Sequence, residues 1–177
     1  MMSDSVQAIV EALSKVARIA SVMVDGDEAR RILTERAMHH LAHPDPDYRF
    51  LSADYYDVEH ETFLRMKKTL LRLERLNDGP CSTALWVPVV GLDGYVTLAV
   101  QNGSIHRYYR FGQAKMETPD EMRRCIEGKA TVVAPLEQSS QTITVLAPIL
   151  DSLGDVAGVV ELSAQHPETQ SLAPAWS

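Results

Sequence analysis

The stretch that most constrains the fold is residues 145–163, in which two apolar, β-branched-rich runs flank Asp151-Ser-Leu-Gly154. Aspartate commonly opens a turn, and glycine readily adopts the positive φ that tight turns need. Gly158 lies inside the second run, where a side chain would otherwise be expected. These signals together predict an antiparallel hairpin in the middle of a sheet.

Composition limits the class of protein. The 177 residues fit one domain, and 45% hydrophobic with 23% charged residues is enough for a sizeable core. A formal charge of −7 argues against nucleic acid and against an anionic membrane surface as partners. No run approaches the roughly 18 apolar residues of a membrane span, and the N-terminus lacks a signal-peptide core. We therefore expect a soluble, cytoplasmic protein whose Cys81 and Cys125 are reduced thiols rather than a disulfide.

The N-terminal segment has the apolar period of a helix. The apolar positions recur at steps of three and four residues and are Val6, Ile9, Leu13, Val16, Ala20 and Met23, here called the N-terminal stripe. Such a stripe needs a partner surface, which is either the protein's own sheet or the same helix of a second subunit. We predict a helical segment at residues 1–24 with a possible role in dimerisation, a domain at 25–165 and a flexible tail at 166–177.

Further helices follow from apolar period and capping signals. Asp25-Gly-Asp27 interrupts the stripe, so Gly26 is expected to end one helix and Asp27 to cap a second at residues 28–41. Prolines predict a loop at 43–47. A third helix is predicted at residues 58–76, and Thr118 is expected to cap a short helix that ends at Gly128.

Strand patterns occupy the second half of the chain. Strands are predicted at residues 83–90, 95–100, 130–135, 142–149 and 156–163, with a possible short strand at 105–111. Pro88 cannot donate a hydrogen bond and should lie at an edge or a bulge. Long helices followed by short strands and tight turns predict an α+β domain with an antiparallel sheet.

This order resembles the PAS-like sensor domains called Cache or PDC domains, which occur in bacterial histidine kinases and chemoreceptors. The resemblance is carried by a helix entering Val24-Asp-Gly-Asp27, a loop ending in Tyr48, the Phe63-Leu-Arg-Met-Lys-Lys-Thr helix, and a hairpin with Ala147-Pro-Ile149 and Gly154-Asp-Val-Ala-Gly158. It implies a PAS-like sheet of five or six antiparallel strands with long N-terminal helices packed on one side. It also implies dimerisation through the N-terminal helix and a small-molecule pocket between the sheet and residues 101–129. Neither membrane helices nor an output domain is recognisable, so we expect a stand-alone domain.

The best binding candidates lie in Ile105-His-Arg-Tyr-Tyr-Arg-Phe111. Arginine can grip a carboxylate with two hydrogen bonds, and tyrosine offers a flat apolar wall with one donor. On a strand, His106, Tyr108 and Arg110 would share one face, and Arg107 and Tyr109 the other. We predict that Tyr108 and Arg110 bind the ligand; the alternative is an amphipathic strand with solvated arginines. Strands facing the pocket would add Trp86, Thr97 and Thr144, although for Trp86 a place in the core is the favoured interpretation, because tryptophan is largely buried on average.

Other chemistry is poorly supported by the sequence. His39 and His43 have the i,i+4 spacing of metal ligands, but they lack an adjacent glutamate and end before a proline, so no metal site is predicted. Ser139-Ser140 has no nucleophile-elbow glycines, and no glycine-rich phosphate loop exists. We therefore predict neither an enzyme nor a cofactor.

Two functions fit these patterns. The first is a homodimeric sensor for a small organic ligand such as a carboxylate or amino acid. The second is a protein-interaction module with no ligand, whose N-terminal stripe contacts its own copy or a separate kinase or receptor.

Overall fold

The computed structural model describes residues 2–45, 57–137 and 140–170. Its helices are α1 (Asp4–Met23), α2 (Gly26–Ala29), α3 (Glu35–Ala42), α4 (His60–Leu76), α5 (Asp120–Gly128) and α6 (Pro167–Gln170). Its strands are β1 (Ser82–Pro88), β2 (Tyr95–Asn102), β3 (Met116–Glu117), β4 (Val132–Val133), β5 (Thr142–Leu150) and β6 (Val156–Gln165). Among these residues, no helix combines the length and the apolar character needed to cross a membrane.

The six strands form one antiparallel sheet in the order β3-β2-β1-β6-β5-β4. The long helices α1 and α4 pack on one face of this sheet. The predicted fold class is therefore confirmed: an α+β, PAS-like domain with long N-terminal helices on one side of an antiparallel sheet.

The hairpin predicted at residues 145–163 is the β5–β6 pair, and it lies inside the sheet. Gly154 has a φ of +82°, which explains the glycine in the turn. A Cβ on Gly158 would lie 2.8 Å from the carbonyl oxygen of Trp86 on β1, so close packing of two backbones requires glycine there. Pro88 is the last residue of β1, an inner strand, and does not lie at an edge of the sheet. The pairing of β1 with β6 ends at Trp86, so Pro88 has no partner on β6.

The N-terminal stripe packs within its own chain. α1 contacts β5, β6 and α4, and its buried side chains are Val6, Val10, Leu13, Val16, Ala17 and Ala20. The sequence left two partner surfaces open for this stripe. In the structure it packs on the protein's own sheet. Four of the six side chains of the stripe are therefore buried inside the domain, and Met23 at its end is exposed.

The second predicted helix is divided in two. Residues 30–34 separate α2 from α3, because the Thr34 side chain accepts from Ala37 N and Thr34 N donates to Asp57 O. The cap of α2 is Asp25, whose carboxylate accepts from Asp27 N and Glu28 N, and not Asp27. Helices α1 and α4 match their predicted bounds to within a few residues.

The Asp25-Gly-Asp27 motif packs against the β5–β6 turn. The Asp27 carboxylate accepts from the backbone N and the hydroxyl of Ser152, and Arg30 Nε donates to Asp151 at 2.8 Å. The hydrogen bond from Asp155 N and the Arg30 contact hold the pKa of Asp151 below its usual value. Two motifs far apart in sequence are thus in contact. We call the contact of Asp27 and Arg30 with Asp151 and Ser152 the hairpin clasp.

Residues 105–111, a possible strand in the sequence, form no strand. Their backbone donors go elsewhere, since Ile105 N donates to Ser82 Oγ and Arg107 N to the Glu161 carboxylate. The short strand β3 follows them instead. Helix α5 begins after Pro119, without the side-chain cap expected from Thr118, and the strand expected at 130–135 is reduced to β4.

Some predictions fall outside the described residues. These are residues 46 and 47 of the predicted loop, Tyr48, and residues 171–177 of the predicted tail. The first part of that tail, expected to be flexible, contains the helical turn α6.

Candidate functional site

The sheet face opposite α1 and α4 is covered by residues 103–117 and by α5. Because side chains alternate along a strand, this face receives Ala84 and Trp86 from β1, Leu98 from β2, and Leu146 and Val159 from β5 and β6. These residues form a small second core with Tyr108, Met122 and Cys125. The pocket position implied by the family resemblance corresponds to this layer.

A fully buried carboxylate lies at the centre of the layer. Glu161 on β6 accepts from Trp86 Nε1 at 2.7 Å, from Arg107 N at 2.8 Å and from Ser163 Oγ at 3.0 Å. The hydroxyls of Ser163 and Thr144 are 3.0 Å apart on neighbouring strands. Three donors satisfy the charge, as a buried carboxylate requires. We call Glu161 and the side chains around it the Glu161 cluster.

Segment 103–117 adds two polar side chains to the cluster. The His106 side chain is 1% exposed, with Nε2 2.8 Å from Asn102 O and Nδ1 3.8 Å from Glu161 Oε1. The Arg107 side chain is 11% exposed, and its guanidinium lies 3.7 Å from Glu121 and from Glu137. The separations of 3.7 and 3.8 Å exceed hydrogen-bonding distance. His106 is therefore held by its Nε2 contact and by packing, and Arg107 by charge and packing.

Tyr108 closes the layer over Trp86. Its ring meets the Trp86 ring edge-on at a centroid separation of 6.4 Å, and its hydroxyl donates to Glu121 at 2.6 Å. Burial, and then the hydrogen bond to Glu121, raise the pKa of Tyr108, so the phenol stays protonated. The tyrosine is therefore a fixed donor.

A narrow cleft opens on the outer side of this pair. Its volume is about 10 Å³, which is room for about one water molecule. Its lining residues are Trp86, Leu98, Tyr108, Tyr109, Arg110, Gln113, Lys115 and Met116. The walls are mostly aromatic and apolar, and the charged residues of the lining are both cations.

The structure brings together some of the predicted site residues. Trp86, Tyr108 and Arg110 line the cleft, and Thr144 lies in the Glu161 cluster next to it. Thr97 is on the other face of the sheet, paired with Val87 of the main core, and its hydroxyl donates to Ala114 O.

The expected strand face does not exist, since residues 105–111 are not extended. Tyr108 is buried, whereas Arg110 is exposed and donates to the carbonyl oxygens of Arg107 and Tyr109. The two residues still meet at the cleft, but from a turn and not from one face of a strand.

Sequence reasoning missed Glu161, Ser163, His106 and Arg107. A signal for Glu161 was present, because it is the one charged residue within the apolar run Val156–Leu162. A single acidic residue at an inward-facing position of an inner strand indicates buried hydrogen-bond donors around it, because a buried carboxylate without them is unfavourable. Arg107 was assigned to the wrong face together with the strand itself.

Metal and thiol chemistry were also considered from the sequence. The His39 and His43 rings stack at 4.8 Å, but within residues 2–45, 57–137 and 140–170 no three His, Cys, Asp or Glu side chains form a potential metal site. Both cysteines are free, and burial raises the pKa of Cys125 to about 12 and that of Cys81 to about 11. Neither thiol is a thiolate nucleophile at neutral pH.

No family model and no curated protein matches this chain. A GAF domain of known structure is 10% identical, over 82% of this chain and 86% of that one, with a TM-score of 0.44. The A. aeolicus nlh2 GAF domain in an inactive state is 13% identical, over 77% and 82% of the two chains, with a TM-score of 0.38. The ligand-binding domain of the Campylobacter jejuni chemoreceptor Tlp3, solved with L-valine, is 14% identical, over 95% of this chain and 64% of that one, with a TM-score of 0.37. These likenesses concern the fold, and the resemblance to Cache domains stays a prediction at the level of the family.

Proposed function

We propose that this protein is a small-molecule-binding sensor domain whose ligand, a small organic molecule such as a carboxylate or amino acid, enters the cleft beside Tyr108. The observation that supports this most directly is the lining of the cleft. Trp86, Tyr108 and Tyr109 supply aromatic walls, and Arg110 stands at the opening. Apolar walls with a few converging polar groups are typical of ligand sites.

Binding in this cleft requires segment 109–113 to move, because about 10 Å³ holds no organic molecule. Arg110 makes its hydrogen bonds to carbonyl oxygens of its own segment, which a carboxylate would replace with charge-assisted bonds. Ligand binding and a change in this segment are therefore coupled, which is what a sensor needs.

The first test compares native with denatured mass spectra of freshly purified protein. We expect an extra mass that is released on denaturation and that identifies the ligand. The ligand's affinity is then measured for a Tyr108→Ala/Arg110→Ala double variant and for Arg124→Ala, an exposed arginine on α5. Loss of a charge-assisted bond and an aromatic wall should weaken binding by roughly tenfold or more, and Arg124→Ala should not. Full affinity in the double variant would refute the site.

The same spectrum gives the oligomeric state. We propose a homodimer, with α1 contributing the side chains that the fold leaves exposed near its C-terminal end, Ile19, Val22 and Met23. The buried side chains of the stripe, Val6, Leu13, Val16 and Ala20, contribute to the fold instead.

A second candidate is an interaction module without a ligand. The small volume of the cleft favours it, because Trp86 and Tyr108 already fill the layer under the segment. Its partner would be a separate kinase or receptor, bound through a surface other than the N-terminal stripe. A protein that carries no extra mass and binds no small molecule would favour this candidate.

A further inference from the structure

We infer that the outer side of α4 is a docking surface for an acidic amphipathic helix of a partner protein. This surface consists of Leu64, Lys68, Leu71, Arg72 and Arg75, and we call it the α4 face. The inference goes beyond the proposed function, because it requires neither a ligand in the cleft nor a homodimer. It also gives the interaction module considered above a surface and a partner of defined chemistry.

Helix α4 has apolar residues on two opposite sides. The side that packs on the sheet consists of Phe63, Met66, Leu70 and Leu73. On the outer side, Leu64 and Leu71 are one heptad apart and are 41% and 38% exposed.

The outer leucines belong to a longer row of side chains. Leu64, Lys68, Leu71 and Arg75 recur at steps of four, three and four residues. Residues at these steps are neighbours on a helix surface, so the four side chains form a row about 16 Å long. Arg72 lies beside this row and is also exposed.

The cations of the α4 face have no acidic partner. Lys68, Arg72 and Arg75 make no ion pair within the part of the chain that the structure describes. On the adjacent helix α1, Lys15 and Arg18 are likewise exposed and, among the described residues, unpaired. Acidic residues outnumber basic ones by 24 to 17 in the whole chain. This helical layer is therefore positively charged on a negatively charged protein.

The acidic side chains of α4 do not neutralise these cations. Glu61 lies 3.8 Å from Arg65 instead. Glu74 accepts from the backbone N and the hydroxyl of Thr83 on β1, both at 2.9 Å. The negative charge that complements the α4 face therefore comes from a partner.

A helix is the partner that fits a row of this kind. Side chains at steps of three and four residues pack between those of a second helix laid alongside, and opposite charges at the flanking positions fix the pairing. The fitting partner has leucines one heptad apart with aspartate or glutamate beside them.

Two other occupants fit less well. A second copy of this chain would bring the same cations together across a two-fold axis, where they repel each other. A membrane would need more apolar area than two partly exposed leucines supply, and an anionic lipid surface would repel a chain with a net charge of −7.

The experiment measures binding of a synthetic peptide by fluorescence anisotropy. The probe is a labelled peptide of about 18 residues of Leu, Ala and Glu, long enough to form a helix and with leucines at steps of three and four. Its control is a scrambled peptide with the same composition and charge but no apolar side. We expect the amphipathic peptide to bind roughly tenfold or more tightly than the scrambled one. Equal binding would mean attraction by charge alone and would overturn the proposal.

Matched substitutions locate the binding surface. Arg72→Glu should weaken binding of the amphipathic peptide by roughly tenfold or more, because it places a like charge in the interface. Arg124→Glu changes an exposed arginine of α5 that is also unpaired among the described residues, and it should leave the affinity unchanged. Leu71→Ala should weaken binding as well, whereas Leu153→Ala, at a side chain that is 85% exposed, should not. Unchanged affinity in Arg72→Glu would overturn the proposal.

Two further measurements test the other occupants. Binding to phosphatidylserine vesicles that Arg72→Glu abolishes would assign the α4 face to a membrane. A dimer in sedimentation that Arg72→Glu dissociates would assign it to a second copy. Either result overturns the partner helix. The native mass spectrum decides separately on the sensor function, because no residue of α4 lines the cleft.

Discussion

Glu161 shows how one residue can organise a site. Its carboxylate is fully buried and accepts from a side chain on β1, a backbone N of segment 103–117 and a hydroxyl of its own strand. Burial of a charge is unfavourable unless hydrogen bonds satisfy it, and here three do. The same carboxylate that orients Trp86 therefore also holds segment 103–117 against the sheet.

We expect Glu161→Gln to lower the free energy of unfolding by about 1–3 kcal/mol, because the new amide N–H₂ faces at least one of the three donors. Urea unfolding at neutral pH measures this. Glu127→Gln, on the exposed face of α5, is the matched control and should change stability by no more than about 0.5 kcal/mol. Equal stability of the two variants would contradict the assigned role of Glu161.

At the scale of elements, the sequence predicted those helices and strands that have a regular spacing of apolar residues or a clear turn signal. α1, α4 and the β5–β6 hairpin have clear periods or turn signals, and they lie where expected. The strand at 105–111 was wrong because its donors are satisfied by Ser82 and Glu161, far away in sequence. Local pattern carries no information on such tertiary bonds. Tyr108 and Arg110, which line the cleft, were predicted from their chemistry, since arginine binds carboxylates and tyrosine offers an aromatic wall.

The hairpin clasp can be tested at Gly26. A Cβ there would overlap the carbonyl of Leu150, whereas a Cβ on Gly128, the last residue of α5, would meet nothing within 4 Å. Gly26→Ala should lower stability by about 1–3 kcal/mol through forced displacement of backbone. Gly128→Ala should leave the melting temperature unchanged or raise it, because alanine favours helix. Thermal unfolding followed by circular dichroism compares the two variants, and a stable Gly26→Ala protein would show that the clasp can relax.

At the scale of the whole molecule, α1 belongs to the folded domain. Its buried face completes the main core on β5 and β6, while Val22 on the other side is 85% exposed. The helix therefore cannot exchange its buried face for a partner without opening that core.

Leu13→Ala should cost about 2–5 kcal/mol, because the side chain is fully buried and its removal leaves a cavity. Val22→Ala should change stability by about 0.5 kcal/mol or less. Chemical denaturation of both variants measures the difference. A mild effect at Leu13 would mean that α1 packs loosely, and self-pairing through the stripe would regain support.

The strand order has a consequence for how the protein is made. β1 pairs with β6, so the first strand of the sheet and the last lie side by side at its centre. While the ribosome is still synthesising β6, β1 lacks one of its two neighbours and β5 has not received its long partner. Pairings between distant segments form slowly because a long loop must close first. The nascent sheet therefore stays divided until its last strand emerges, and the Glu161 cluster, whose central carboxylate arrives on that strand, is among the last parts of the molecule to assemble.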